Sequence, residues 1–174
     1  LVQISKDYGL EMGKDIIVST PGVPIQNMPS FYNALDVYLG TEGGESFAIP
    51  HIEALACGCP IITSDYTTGP EHIEGKCGEL IDVIKHSDGK TPVTFGSYNG
   101  IEFCLPDIYD AAKKVEKLYN HPELRKEYGF NGVVKVSKEY AWEVVMPKWK
   151  SLLDKAIGLE DFPDSWKKLL EENK

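Results

Sequence analysis

Pro50, Gly58 and Pro60 leave the middle of this chain few ways to fold. Proline is favoured in the first turn of a helix, where its missing N–H is not needed and its fixed φ is already helical. Pro50 therefore opens a helix. Glycine supplies the left-handed residue that ends one, so Gly58 closes it and Pro60-Ile61-Ile62-Thr63 begins a strand. Upstream, residues 36–39 form a short apolar run suited to a buried strand, and residues 41–46 make a glycine-rich loop that must come close to something. The stretch reads strand, loop, helix, strand.

Two carboxylates bracket the loop and the helix start, Glu45 and Glu53, with seven residues between them. A helix N-terminus carries partial positive charge and unpaired N–H groups, which suits an anion such as a diphosphate. A carboxylate one turn into the helix can accept two neighbouring hydroxyls, as on a ribose. Glu45, ahead of the helix, would face whatever lies beyond the phosphates. The plainer alternative is that Glu53 complements the helix dipole and Glu45 is a solvated loop charge.

The run from Glu45 to Ile62, ESFAIPHIEALACGCPII, resembles the E-G-F-G-L-P-x-x-E-A-M-A-C-G-x-P-V-V signature of the group 1 (family 4) glycosyltransferases, retaining enzymes of the GT-B fold. Both acids, the phenylalanine, the proline and the A-C-G-x-P turn match. Ser46 and Ala48 stand where the signature has glycine, which bears on the space for a donor sugar and on the φ angles of the loop. The resemblance implies that Glu53 holds a ribose and Glu45 the transferred sugar. Residues 22–38 are similar to the family's G-x-V-P and L-x-x-x-Y-x-x-A-D-V-x-V runs, with Tyr32, Ala34, Asp36 and Val37 in matching places. From the residues alone, Phe31 and Tyr32 read as core packing.

After the strand at Ile61, residues 64–73 make a second loop that runs into a helix. Thr68 is placed to cap it and Gly69 to let its backbone approach a ligand; plain turn and cap chemistry is the alternative. In the family the similar loop lies against the donor's phosphates. Residues 77–83 read as the last strand. Residues 85–104 then carry Asp88-Gly89 and Asn99-Gly100, both hairpin signals, with Val93, Phe95, Ile101 and Phe103 as strand candidates. A β-hairpin insertion is expected there, as a lid, an acceptor contact or an oligomer edge.

The flanks are read more simply. Residues 1–8 form the end of an amphipathic helix stopped by Gly9, residues 15–19 a buried strand, residues 21–24 a turn and residues 28–34 a short helix. Pro106-Asp107 starts a helix with Ala111, Ala112, Val115 and Leu118 on one face. His121-Pro122-Glu123 starts another, with Phe130, Val133, Val134 and Val136 as its apolar side and Gly129 and Gly132 weakening it. Tyr140-Ala141-Trp142-Glu143, similar to the family's F-S-W-E, begins a helix through Ile157 with Trp142 as a core anchor. Residues 161–173 form a last amphipathic helix whose Trp166 and Leu170 would cover a partner surface.

Composition excludes some classes. With 174 residues the chain is long enough for a full core, and 26% charged and 42% apolar residues are ordinary for a globular protein. A net charge of −9 argues against a nucleic-acid partner but does not exclude a nucleotide. No apolar run approaches the roughly 20 residues that a membrane span needs. Cys57, Cys59, Cys77 and Cys104 lack a paired C-x-x-C spacing and read as buried, reduced thiols, which points to the cytoplasm. His51 reads as a bystander, and His72, His86 and His121 share no metal spacing.

These readings converge on an α/β, Rossmann-like, three-layer, mostly parallel sheet with a hairpin insertion. Residues 1–157 form a nucleotide-sugar donor-binding domain and residues 158–174 a C-terminal helix. The site residues are Glu45 as the catalytic group, with Glu45, Ser46, Phe47, Ala48, Ile49, Glu53, Thr68 and Gly69 binding the donor. No metal or cofactor is required. The resemblance implies a sugar moved from a nucleotide diphosphate to a sugar, lipid or protein acceptor hydroxyl with retention. It also implies a preceding N-terminal domain and strands bearing an arginine and a lysine that hold the diphosphate; neither is present. The chain starts at Leu1 inside a helical pattern and reads as an inactive piece of a longer enzyme, peripheral at the inner membrane face through the other domain, with an open sheet edge suited to homo-oligomer pairing. The alternatives are a sugar-nucleotide epimerase of the same fold, which usually lacks the A-C-G-x-P turn, and a non-catalytic nucleotide-binding module.

Overall fold

The computed structural model describes residues 2–18, 22–96 and 102–157. They fall into two units, 1–31 and 32–174. In the first, α1 (Val2–Asp7) is followed by Gly9 at φ 66°, as its sequence requires. The strand expected over residues 15–19 is not formed in the described part. Gly13 (φ 87°) turns the chain so that its N–H meets Ile16 O at 2.7 Å, while the Asp15 N–H returns to Glu11 O. The backbone is thus satisfied inside a turn, and Ile17 and Val18 stay exposed. Pro21 lies outside the described residues; Pro24 leads into one 3-10 turn (Ile25–Asn27) and then α2 (Met28–Asn33).

The second unit is built on β1 (Tyr38–Leu39), β2 (Ile61–Ser64) and β3 (Gly78–Ile81), a parallel sheet in the order β1-β2-β3. α3 (Ile49–Ala56) links β1 to β2, and α4 (Gly69–Ile73) links β2 to β3. Crossovers between adjacent parallel strands are right-handed, so both helices lie on one face. The α/β class with a mostly parallel sheet is therefore as expected. After β3, residues 83–85 run between the backbones of residues 92–93 and 105–106. β4 (Thr94–Gly96) and β5 (Glu102–Cys104) close the hairpin antiparallel, Phe95 opposite Phe103. The Asn99-Gly100 turn and Ile101 lie outside the described residues.

Strand alternation sends Ile62, Glu79 and Ile81 to the face opposite α3 and α4. There they meet α5 (Ile108–Asn120) through Ala111 and Leu118. The Asp107 side chain caps α5 by accepting from Tyr109 N and Asp110 N. Ile61, Ile62, Leu55, Ile81 and Leu118 are wholly buried, each contributing about 1.5–3 kcal/mol of apolar transfer. Glu79 is buried too, but Tyr128 Oη donates to it at 2.7 Å and Lys117 pairs with it.

α6 (Pro122–Glu139) corrects its expected apolar side. Phe130 is 70% exposed, and the buried positions are Tyr128, Gly129, Gly132 and Lys135. The glycines are contact residues rather than weak points. A Cβ on Gly129 would lie 2.2 Å from Gly58 O, and one on Gly132 would lie 2.8 Å from Leu55 Cδ2. Arg125 reaches Asp36 just before β1, and Asn131 donates to Lys76 O just before β3. α6 thus crosses the N-terminal ends of all three strands and leaves their C-terminal ends to the loops. α7 (Trp142–Ile157) also corrects an expectation: Trp142 is 73% exposed, so it anchors no core within the described residues. The helix expected over residues 161–173, with Trp166 and Leu170, lies outside them.

Candidate functional site

In open parallel sheets ligands gather where strands end in loops at their carboxyl edge. The loop after β1 carries Glu45 and the loop after β2 carries Thr68. Between them stands the head of α3, which starts at Ile49 with Pro50 second and Ala48 as N-cap. Ala48 holds φ 55°, ψ 67°, the left-handed conformation for which the family signature uses glycine. An alanine there is strained by about 1–2 kcal/mol. At the other end Gly58 (φ 75°) closes the helix, its N–H donating to Leu55 O at 3.0 Å while Cys59 N–H donates to Ala54 O at 3.0 Å.

The glycine-rich loop does come close to something, and part of that something is the hairpin. Cys104 N donates to Gly43 O at 2.7 Å. A Cβ on Gly43 would meet Cys104 O at 2.4 Å, and one on Gly44 would sit 3.3 Å from Glu102 O and 3.6 Å from the Tyr66 ring. β5 therefore lies along the loop just ahead of Glu45. The second loop joins from the other side, where Thr67 (φ 48°) accepts the Glu45 N–H on its Oγ1 at 3.2 Å.

The expected site residues separate by role. Glu45, Ser46, Phe47 and Ile49 are exposed, Thr68 half-buried, and Ala48 and Gly69 buried. Thr68 occupies the N-cap position of α4 but makes no cap hydrogen bond. Gly69 is glycine because a Cβ would lie 2.0 Å from Ser64 O, a close approach to the chain's own backbone. Glu53 sits past the first turn of α3, where it adds little to the helix dipole, and accepts from Tyr32 Oη at 2.9 Å. Tyr32 is buried as expected; burial and then Glu53 push its hydroxyl well above the usual tyrosine range. Phe31 is exposed. Glu45 and Glu53 are thus held by different neighbours, one by the second loop and one by Tyr32.

Three residues to which the sequence reading gave no role are joined here. Glu42 Oε1 lies 2.8 Å from His51 Nε2, and His51 Nδ1 lies 3.1 Å from His72 Nδ1. Both histidines are buried, at 1% and 0% exposure. The Phe47 ring stands edge-on to His72 at 5.3 Å, and Tyr140 meets both rings, at 6.3 Å from His72 and 5.7 Å from Phe47. His51 and His72 each fall early in one of two helices that follow neighbouring parallel strands on the same face, and that topology was the signal available. The three groups form a line, with Glu42 and His72 on opposite nitrogens of His51, so they do not converge on a metal. Among the described residues no group of three His, Cys, Asp or Glu side chains does. Neither loop, residues 40–48 or 64–69, contains lysine or arginine.

Residues 8–133 match the family model for glycosyl transferases group 1. The chain belongs to this family. Among its relatives is the capsular polysaccharide biosynthesis glycosyltransferase CapM of Staphylococcus aureus, 27% identical over 123 residues, covering 71% of this chain and 27% of the relative. Spore coat protein SA of Bacillus subtilis is 30% identical over 126 residues, covering 70% of this chain and 30% of the relative. This group 1 chain therefore spans about a third or less of those relatives' length. Of solved structures, sucrose-phosphate synthase from Thermosynechococcus elongatus aligns with a TM-score of 0.69 at 18% identity, over 90% of this chain and 33% of that one, a likeness of fold. The GT-B neighbours agree with the parallel sheet of this group 1 domain.

Proposed function

We propose that this chain is the donor-binding part of a retaining glycosyltransferase that moves a sugar from a nucleotide diphosphate to an acceptor hydroxyl. The observation that carries the reading is the left-handed Ala48 between Glu45 and α3. It sets the turn by which the loop carrying Glu45 enters the N-terminus of α3. The α3 amides and those of Phe47, Ala48 and Ile49 would meet the diphosphate and sugar, Glu53 the ribose, and Glu45 the transferred sugar. Catalysis would rest on stabilising the departing diphosphate and the oxocarbenium-like sugar. Because neither loop supplies a cation, the balancing charge is assigned to the part of the enzyme that precedes these loops. The CapM relative, named for capsular polysaccharide biosynthesis, favours glycan assembly as the setting.

A non-catalytic nucleotide-binding module is the second reading, favoured by Ser46 and Ala48 in place of glycines. Titration with UDP, GDP and ADP, each with and without its sugar, followed by thermal shift, tests donor binding directly. Glu53→Ala should weaken every ligand of the preferred base by about tenfold, the loss of one bidentate charged contact. Glu45→Ala should weaken only the sugar-bearing form. Equal losses for both ligands in both variants would sink the assignment, and binding without turnover by the full-length protein would favour the module.

A further inference from the structure

We propose that Glu42, His51 and His72 form a proton-sensitive positioning relay that holds Phe47 and the strained Ala48 in place only while His72 is neutral. The hydrogen bonds fix the direction of the chain. Burial, the largest single effect, would raise the Glu42 carboxyl, but the hydrogen bond from His51, a backbone hydrogen bond and the attraction of His51 together keep it below the usual carboxylate range, so Glu42 is ionised and accepts from His51 Nε2–H. In a neutral His51 the Nδ1 is then bare and accepts from His72 Nδ1–H. His72 Nε2 is left as an unprotonated nitrogen, buried and without a hydrogen-bond partner among the described residues. Glu42 is itself pinned, since Ser64 Oγ donates to its backbone O at 2.7 Å.

A proton added to this line arrives at His72 Nε2. It would place an N–H with no oxygen or nitrogen acceptor, and a positive charge, against the rings of Phe47 and Tyr140. The charged and titratable groups around the relay are Tyr38 on β1, Glu71 on α4, Lys135 on α6 and Tyr140 after it. Burial comes first in opposing the added charge and the neighbouring His51 second; Glu71 favours it and Lys135 opposes it, and the balance holds His72 below the ordinary imidazole value. The sign follows. A base whose folded pKa is depressed contributes stability that is present above about pH 6.5 and lost as pH falls through the lower folded value. The cheapest way to rehydrate His72 is to move Phe47, which is 40% exposed and adjoins Ala48. Ala48 is buried and its O accepts from His51 N at 3.0 Å, so displacing the adjoining Phe47 uncovers this turn and loosens the loop carrying Glu45. This role does not depend on which ligand the loop binds.

The test uses the chain without ligand. Nitrogen-15 NMR at about pH 7.5 should show His72 protonated on Nδ1 and bare on Nε2, and His51 protonated on Nε2. Hydrogen-exchange protection of the Glu45 and Cys104 amides, corrected for the intrinsic pH effect, should fall about tenfold toward about pH 5. His72→Asn, which keeps a donor near Nδ1 and removes Nε2, should keep protection flat across that range. A His72 that carries its proton on Nε2 at pH 7.5 would overturn the relay, as would flat protection in the unchanged chain. Should the variant fail to fold, the NMR and exchange of the unchanged chain decide alone.

Discussion

Ala48 concentrates the physics of the site in one backbone. Its φ of 55° is accessible to alanine at a cost of about 1–2 kcal/mol, but a β-branched side chain at that angle is a true outlier. Glycine would relieve the strain while giving the unfolded chain more freedom, two effects that nearly cancel. Ala48→Gly should therefore stay within about 1 kcal/mol of the native stability, whereas Ala48→Val should lose about 2 kcal/mol or more in urea unfolding. A valine variant as stable as the native chain would mean that residue 48 is not left-handed. Residue-scale chemistry of this kind was partly legible. Pro50, Gly58 and the Asp107 cap act on their own neighbours and announced themselves. Thr68 looked like a cap and does hold the N-cap position, but its backbone is already helical (φ −85°, ψ −12°) and its side chain makes no cap hydrogen bond.

At the scale of elements, α6 shows why some of the fold was hidden. Gly129 and Gly132 lower intrinsic helix propensity, and nothing within the helix says what they are for. Their purpose lies in α3, whose C-terminal turn presses its backbone against them. Phe130, which looks like part of the core side, is left outward by that seating, while Val134 and Val136 are half-buried. The same holds for the glycine-rich loop: Gly43 and Gly44 suggested a close approach to something unnamed, and β5 occupies one side of them. Gly129→Ala should destabilise the chain by about 3 kcal/mol, because its Cβ meets a backbone oxygen that cannot move aside. Gly132→Ala should cost about 1 kcal/mol or less, since Leu55 can rotate and alanine favours the helix by about 1 kcal/mol. Urea midpoints measure both, and equal effects would show that α6 does not sit on α3 in this register.

At the scale of the whole molecule, the described residues leave apolar surface uncovered in two places. Leu39 on the unpaired edge of β1 joins Ile108, Val115 and Tyr119 around a groove of about 570 Å³. On α7, Trp142, Met146, Trp149 and Leu153 form one stripe at helical spacing, each more than half exposed. Stripes of this kind are interaction surfaces or liabilities, and an open strand edge is a template for pairing. We therefore expect the isolated chain to self-associate through α7 as concentration rises in sedimentation velocity. The net charge of −9 opposes contact between copies at low ionic strength, and salt screens that repulsion without weakening apolar burial. Association should accordingly strengthen with added salt, the opposite of what a charge-paired interface would do. Trp142→Lys together with Trp149→Lys should abolish it while leaving the unfolding midpoint nearly unchanged, because both rings already face water. A native chain that stays monomeric at every salt concentration would show that the stripe is not adhesive by itself.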